Sequence, residues 1–96
     1  MNKNITLTDF LAEESQNPTF REAFEHYYEA LNLGIKVQKL RKKANLSQKE
    51  FAEKLGVSQQ LVSKIERGVV ENPTLRTLHR IASVTGHHLK ISFAAG

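Results

Sequence analysis

QKEFAEKLGVSQQLVSKIER, residues 48–67, decides how this chain folds. Ser47, immediately before it, is a good helix N-cap, and Glu50 three residues on completes a capping box, so a short helix starts here. Phe51, Ala52 and Leu55 form its apolar stripe. Ala52 stands mid-stripe, where a second helix crossing at a steep angle needs a residue with almost no side chain. Gly56 follows the last apolar residue, at the position where a helix end turns left-handed. Val57 plugs the corner. Ser58 then caps a second helix whose inward positions are Leu61, Val62 and Ile65, and which ends near Gly68. Between these apolar residues lie Gln59, Gln60, Ser63, Lys64 and Arg67.

That polar face has the chemistry of a major-groove reader. Glutamine pairs bidentately with adenine, Lys and Arg reach guanine or phosphate, and Ser is a permissive short contact. A helix that reads bases does so with its N-terminal residues, which puts Gln59 and Gln60 first. Ser58, Ser63, Lys64 and Arg67 complete the candidate DNA-facing set on this helix. Gln48, in the first turn of the preceding helix, is placed for a phosphate beside that helix's free amides. An ordinary helical hairpin with a polar solvent face is the plain alternative, and it leaves the joint fit of Ala52, Gly56 and the apolar positions unexplained.

Residues 36–86, through LRKKANLSQKEFAEKLGVSQQLVSKIERG and the following NPTLRTLHRIASVTG, resemble the Xre/Cro, lambda-repressor-like helix-turn-helix family. The resemblance covers about half the chain. It implies that Gln48 and Arg67 bind phosphates, that Gln59, Gln60, Ser63 and Lys64 face bases, and that Arg41 pairs with Glu66 inside the domain.

Composition is compatible with this. Ninety-six residues, 40% hydrophobic, can supply one modest core. There is no cysteine, so neither a disulfide framework nor a Cys-based zinc site is available. No apolar run approaches a membrane span and no secretory signal is seen, so a cytoplasmic protein is expected. Charge divides unevenly: residues 1–30 carry a net −4 and residues 31–96 a net +8, within a chain total of +4. A basic face alone often serves only solubility, but beside this motif it is a field that attracts a polyanion.

Outside the motif, Thr8 can cap a short helix holding Phe10 and Leu11 that ends before Asn17 and Pro18. Phe20, Ala23, Phe24, Tyr27 and Leu31 then repeat at helical spacing. Gly34 interrupts a second stripe of Val37, Leu40 and Ala44, leaving either one long helix with a weak point or two meeting at a bend; a near-continuous helix over about 19–43 is favoured. Thr74 caps a further helix with Leu75, Leu78, Ile81 and Ala82 inward, ended by Gly86. Residues 88–93, HLKISF, alternate Leu89, Ile91 and Phe93 against polar residues, the signature of a half-buried strand. With no second strand in the chain, its natural partner is the same strand of a second copy across a two-fold axis; a disordered tail is the alternative. The expected architecture is mostly α: an acidic helical segment (1–30), a lambda-repressor-like helix-turn-helix bundle (31–86) and a C-terminal β-strand (87–96) that pairs in a homodimer.

The stretch TDFLAEESQNPTFREAFEHYYEALNLGIKVQKLRKKANLSQ, residues 8–48, resembles antitoxins of the HigA type, a weaker match than that of the helix-turn-helix. It implies a repressor of its own operon, bound to a palindromic operator in double-stranded DNA, that also neutralises a RelE-like mRNA endonuclease toxin. Phe10, Phe20, Phe24, Tyr27 and Tyr28 are then the partner-binding candidates, and Asp9, Glu13, Glu14, Glu22, Glu25 and Glu29 would complement a basic toxin surface. The same aromatics can instead pack on the rest of the protein. Two further alternatives are a stand-alone phage-type Xre repressor and a protein-interaction module on the same fold.

Catalysis has little support, since there is no Gly-rich phosphate loop and no motif-placed acid pair. His26, His79, His87 and His88 remain; neighbours on a strand point to opposite faces, so His87 and His88 do not share a metal without other ligands. No cofactor, metal or enzyme activity is expected.

Overall fold

The computed structural model describes residues 18–70 and 73–95. Among the described residues four helices run in chain order: α1 (Pro18–Lys43), α2 (Gln48–Leu55), α3 (Gln59–Glu66) and α4 (Leu75–Val84). The shorter helix anticipated after Thr8 and before Asn17, with Phe10 and Leu11, lies outside the described residues. Proline opens α1 at a position where the missing N–H costs nothing. Arg41, Lys42 and Lys43 close it, where positive charge opposes the helix dipole. Beyond them Asn45 takes a left-handed conformation (φ 58°), and the Leu46 N–H reaches back to the Arg41 carbonyl at 3.2 Å. Asparagine is the residue besides glycine that ends a helix this way.

The core is built by α1, α2, α3 and α4 around Phe51 and Val62, both essentially removed from solvent, with Val37, Ala52, Leu55, Ile65 and Ile81. The 3.6-residue period explains the selection, since Phe51, Ala52 and Leu55 share one face of α2, and Val62 and Ile65 one face of α3. Leu61 and Val57 are half-buried at the edge of this cluster.

Helix α1 is continuous through Gly34, and that glycine is not a weak point. A Cβ built there would lie 2.5 Å from the Ile65 carbonyl oxygen and 2.7 Å from that of Glu66. The C-terminus of α3 therefore seats directly on the α1 backbone, and only a missing side chain permits the approach. Gly68 repeats the contact one turn along α1: its Cβ would meet Leu31 at 2.7 Å, and its φ of 74° is left-handed. Ala30 is the first buried residue of α1 among those described. The preceding turns, including the expected stripe at Phe24 and Tyr27, face solvent.

Of two other expectations, the inward position of Leu75 is corrected, and the C-terminal strand is not met in the single chain. Leu75, expected inward, is 57% exposed, because the first turn of α4 extends past the packed body and burial begins at Leu78 and Ile81. No strand forms among the described residues: 87–95 carry no regular secondary structure, with Leu89 half-buried, Ile91 57% exposed and Phe93 fully exposed. A strand is defined by its ladder, and a single chain offers this segment no partner.

Candidate nucleic-acid interface

The helix-turn-helix is α2, a turn and α3. The Ser47 hydroxyl accepts from the Glu50 N–H at 3.0 Å, and the Glu50 carboxylate accepts from the Ser47 N–H at 2.9 Å, a complete capping box. The hydrogen bond from the Ser47 backbone N–H, and after it the interaction with the Ser47 hydroxyl, hold the Glu50 carboxyl below the usual glutamate value. Gly56 ends α2 at φ 72°, and its N–H and that of Val57 return to Glu53 and Ala52. Ser58 then caps α3 through its hydroxyl, which accepts from the Leu61 N–H at 3.0 Å. Ser58 thus has a structural task at the site where a DNA contact was also expected, with its hydroxyl proton still available to donate.

On α3 the expected contact residues share one face. Gln59, Ser63 and Arg67 form one column at four-residue spacing, and Gln60 and Lys64 the adjacent one. Gln59, Gln60, Lys64 and Arg67 are exposed and Ser63 is half-buried. Arg67 caps the helix, and its Nε donates to the Ser63 carbonyl at 3.3 Å, which lays the side chain along the helix edge. No acid interrupts the face, because Glu66 points inward, 9% exposed.

Glu66 organises the site from behind. Arg41 Nε donates to Glu66 Oε2 at 2.6 Å and Arg41 Nη2 to Glu66 Oε1 at 3.0 Å, a bidentate pair. Hydrogen bonding to Glu66 keeps the Arg41 guanidinium above its ordinary value, against the opposing effect of burial. Arg41 Nη1 also donates to the Leu46 carbonyl at 2.8 Å, so one side chain ties the end of α1, the turn after it and the end of α3. The structure adds a member not anticipated: Gln48 Nε2 donates to Glu66 Oε1 at 3.1 Å. Gln48 and Glu66 lie eighteen residues apart, and neither helical periodicity nor capping relates them. The second amide hydrogen of Gln48 remains for a phosphate, next to the outward N–H groups of the first turn of α2 and to exposed Lys49. Among the described residues every buried side-chain nitrogen and oxygen has a hydrogen-bond partner.

The family model described as Helix-turn-helix matches residues 37–90, more than half of the chain. The chain belongs to the helix-turn-helix family. Within it, the relatives found are the proteins named HTH-type transcriptional regulator SinR of Bacillus subtilis (strain 168) and of Bacillus licheniformis, each 35% identical over 52 residues. The alignment covers 54% of this chain and 47% of each relative, so the chain spans about half the length of the curated relatives it matches. No solved structure matches. The family match supports the Xre/Cro type of helix-turn-helix that the motif resembles.

Elsewhere, His79, His87 and His88 border one open cleft of about 420 Å³. His87 donates through Nδ1 to the Thr85 carbonyl at 2.7 Å. Among the described residues, no three His, Asp or Glu side chains converge to hold a metal ion. No helix among them is long and apolar enough to cross a membrane.

Proposed function

We propose that this helix-turn-helix protein is a sequence-specific DNA-binding transcriptional repressor. The observation that carries the reading is the single polar and cationic face of α3, fixed from behind by a buried core and by the Arg41–Glu66 pair. Helix α3 enters the major groove, Gln59 and Gln60 read base edges, and Ser63 and Lys64 extend the reading along the helix. Gln48, Arg67 and the first-turn amides of α2 grip the phosphates on either side. Two copies bind a palindromic operator with half-sites about one helical turn apart. Leu89, Ile91 and Phe93 support such a dimer, since in the single chain they have no strand partner and two of them are largely exposed. Band shifts against the protein's own upstream region, set beside random duplex, test the reading; equal affinity for both would overturn sequence specificity.

A second role is favoured by α1. Its N-terminal half carries Glu22, Glu25 and Glu29 around stacked aromatic rings, Phe20 on Phe24 and Phe24 on Tyr28, each 6.3 Å between centroids. Exposed acid and aromatic surface of this kind suits the antitoxin role that the HigA resemblance implies, with a basic RelE-like endonuclease as the partner. Co-expression with the neighbouring reading frame tests it. The antitoxin role requires a stable complex and rescued growth, and free co-existence of the two proteins would contradict it.

A further inference from the structure

Gln48 opens α2 and is half-buried, and its Nε2 donates to Glu66 Oε1 at 3.1 Å. The same oxygen accepts from Arg41 Nη2 at 3.0 Å. Donors from two helices thus converge on one carboxylate oxygen at the end of α3. The chemistry of that oxygen decides how the glutamine stands. An amide side chain can turn either its NH2 or its carbonyl toward a neighbour, but a carboxylate paired with an arginine only accepts. Only the NH2 of Gln48 can therefore face Glu66, and its second hydrogen remains to donate.

An unanchored glutamine would turn its carbonyl oxygen toward a phosphate as readily as its N–H, and it would lose side-chain freedom on binding. Glu66 removes both disadvantages by fixing the amide beforehand. A lone carboxylate behind a phosphate would repel it, but the bidentate Arg41 cancels that charge. We infer that Glu66 is a positioning residue for DNA-backbone binding, which orients the Gln48 amide so that its free N–H meets a phosphate. The Arg41–Glu66 pair then serves DNA affinity as well as stability. The inference rests on the phosphate role of Gln48 given under the proposed function, and it adds the group that sets the orientation.

Glu66→Gln separates orientation from packing. Its amide oxygen is drawn to Arg41, which turns its NH2 toward Gln48, so the Gln48 amide must reverse and offer its carbonyl outward. Affinities of the full-length wild type, Gln48→Met, Glu66→Gln and the double variant for a random duplex are compared at fixed salt. The temperature is one at which circular dichroism shows each protein folded. A random duplex suffices, because a phosphate contact carries no sequence information. Gln48→Met and Glu66→Gln are each expected to weaken binding roughly tenfold, the effect of one hydrogen bond to a charged group. The double variant should bind no more weakly than Gln48→Met alone. A second measurement needs no substitution: in the wild type without DNA, NMR should show the Gln48 side-chain amide protons exchanging with water several-fold more slowly than those of exposed Gln59 and Gln60. Three results overturn the inference: the same loss from Glu66→Gln with and without Gln48, which leaves Glu66 a structural role only; unchanged duplex affinity of Gln48→Met; and Gln48 amide exchange as fast as that of Gln59 and Gln60. A wild type that binds no duplex would instead remove the proposed DNA-binding role, and this inference with it.

Discussion

At the scale of residues, Glu66 is the most constrained side chain. Its carboxylate receives Arg41 twice and Gln48 once while nearly removed from solvent. Breaking a buried pair by deleting one partner leaves the other charge uncompensated, a loss of about 3–5 kcal/mol. Glu66→Ala is expected to approach that loss in chemical denaturation; a loss below about 1 kcal/mol would show that Arg41 finds solvent or another acceptor. Gly34→Ala is expected to destabilise by about 1–3 kcal/mol by overpacking, because its Cβ would press on two α3 carbonyl oxygens rather than on a flexible side chain. Unchanged stability would mean that α3 can slide on α1. The function of Gly34 could not be read from α1 alone, since a glycine in a helical pattern signals a bend and a close contact equally. The atoms it meets belong to a segment thirty residues later.

At the scale of elements, the capping box at α2 links sequence to stability most directly. Ser47→Ala removes an N-cap acceptor worth about 1 kcal/mol, which lowers the melting temperature of a domain of this size by roughly 4–8 °C. Glu50 adds a pH dependence whose sign follows from its lowered carboxyl pKa. Since the folded value lies below the ordinary one, the charged cap stabilises the fold above the ordinary glutamate value of 4.5, and that contribution is lost as pH falls through the lowered value. The melting-temperature gap between wild type and Glu50→Gln should therefore close on acidification, and a gap that stays constant into strong acid would contradict the assignment. The helices α2 and α3 were legible because their signals are local: Ser47 with Glu50, Gly56, Ser58, and apolar residues at helical spacing. The segment 87–95 was not, because strand formation depends on a partner that periodicity does not contain. Leu75 has the right phase for burial, but phase does not tell where neighbouring elements end.

At the scale of the whole molecule, the basic helix-turn-helix lies between an acidic, aromatic helix and an apolar tail, and its candidate contacts were largely legible as a face. Gln59, Gln60, Ser63, Lys64 and Arg67 fall together because α3 is a regular helix with its opposite side buried. The link from Gln48 to Glu66 required tertiary structure. If the tail pairs two copies, removing residues 87–96 should weaken operator binding far more than half-site binding, as compared by titration of the two duplexes. Equal losses would assign the tail no part in the dimer.

The central claim, that α3 reads sequence, is tested most directly by selecting duplexes from a random pool with the wild-type protein. The affinities of wild type, Gln59→Ala and Gln60→Ala for the selected and scrambled duplexes are then measured at fixed salt. The expected result is a selected sequence that each glutamine variant discriminates less well, by about 1–3 kcal/mol per lost base contact, with binding to the scrambled duplex nearly unchanged. Failure of the wild type to enrich any sequence, or equal losses on both duplexes for both variants, would contradict it.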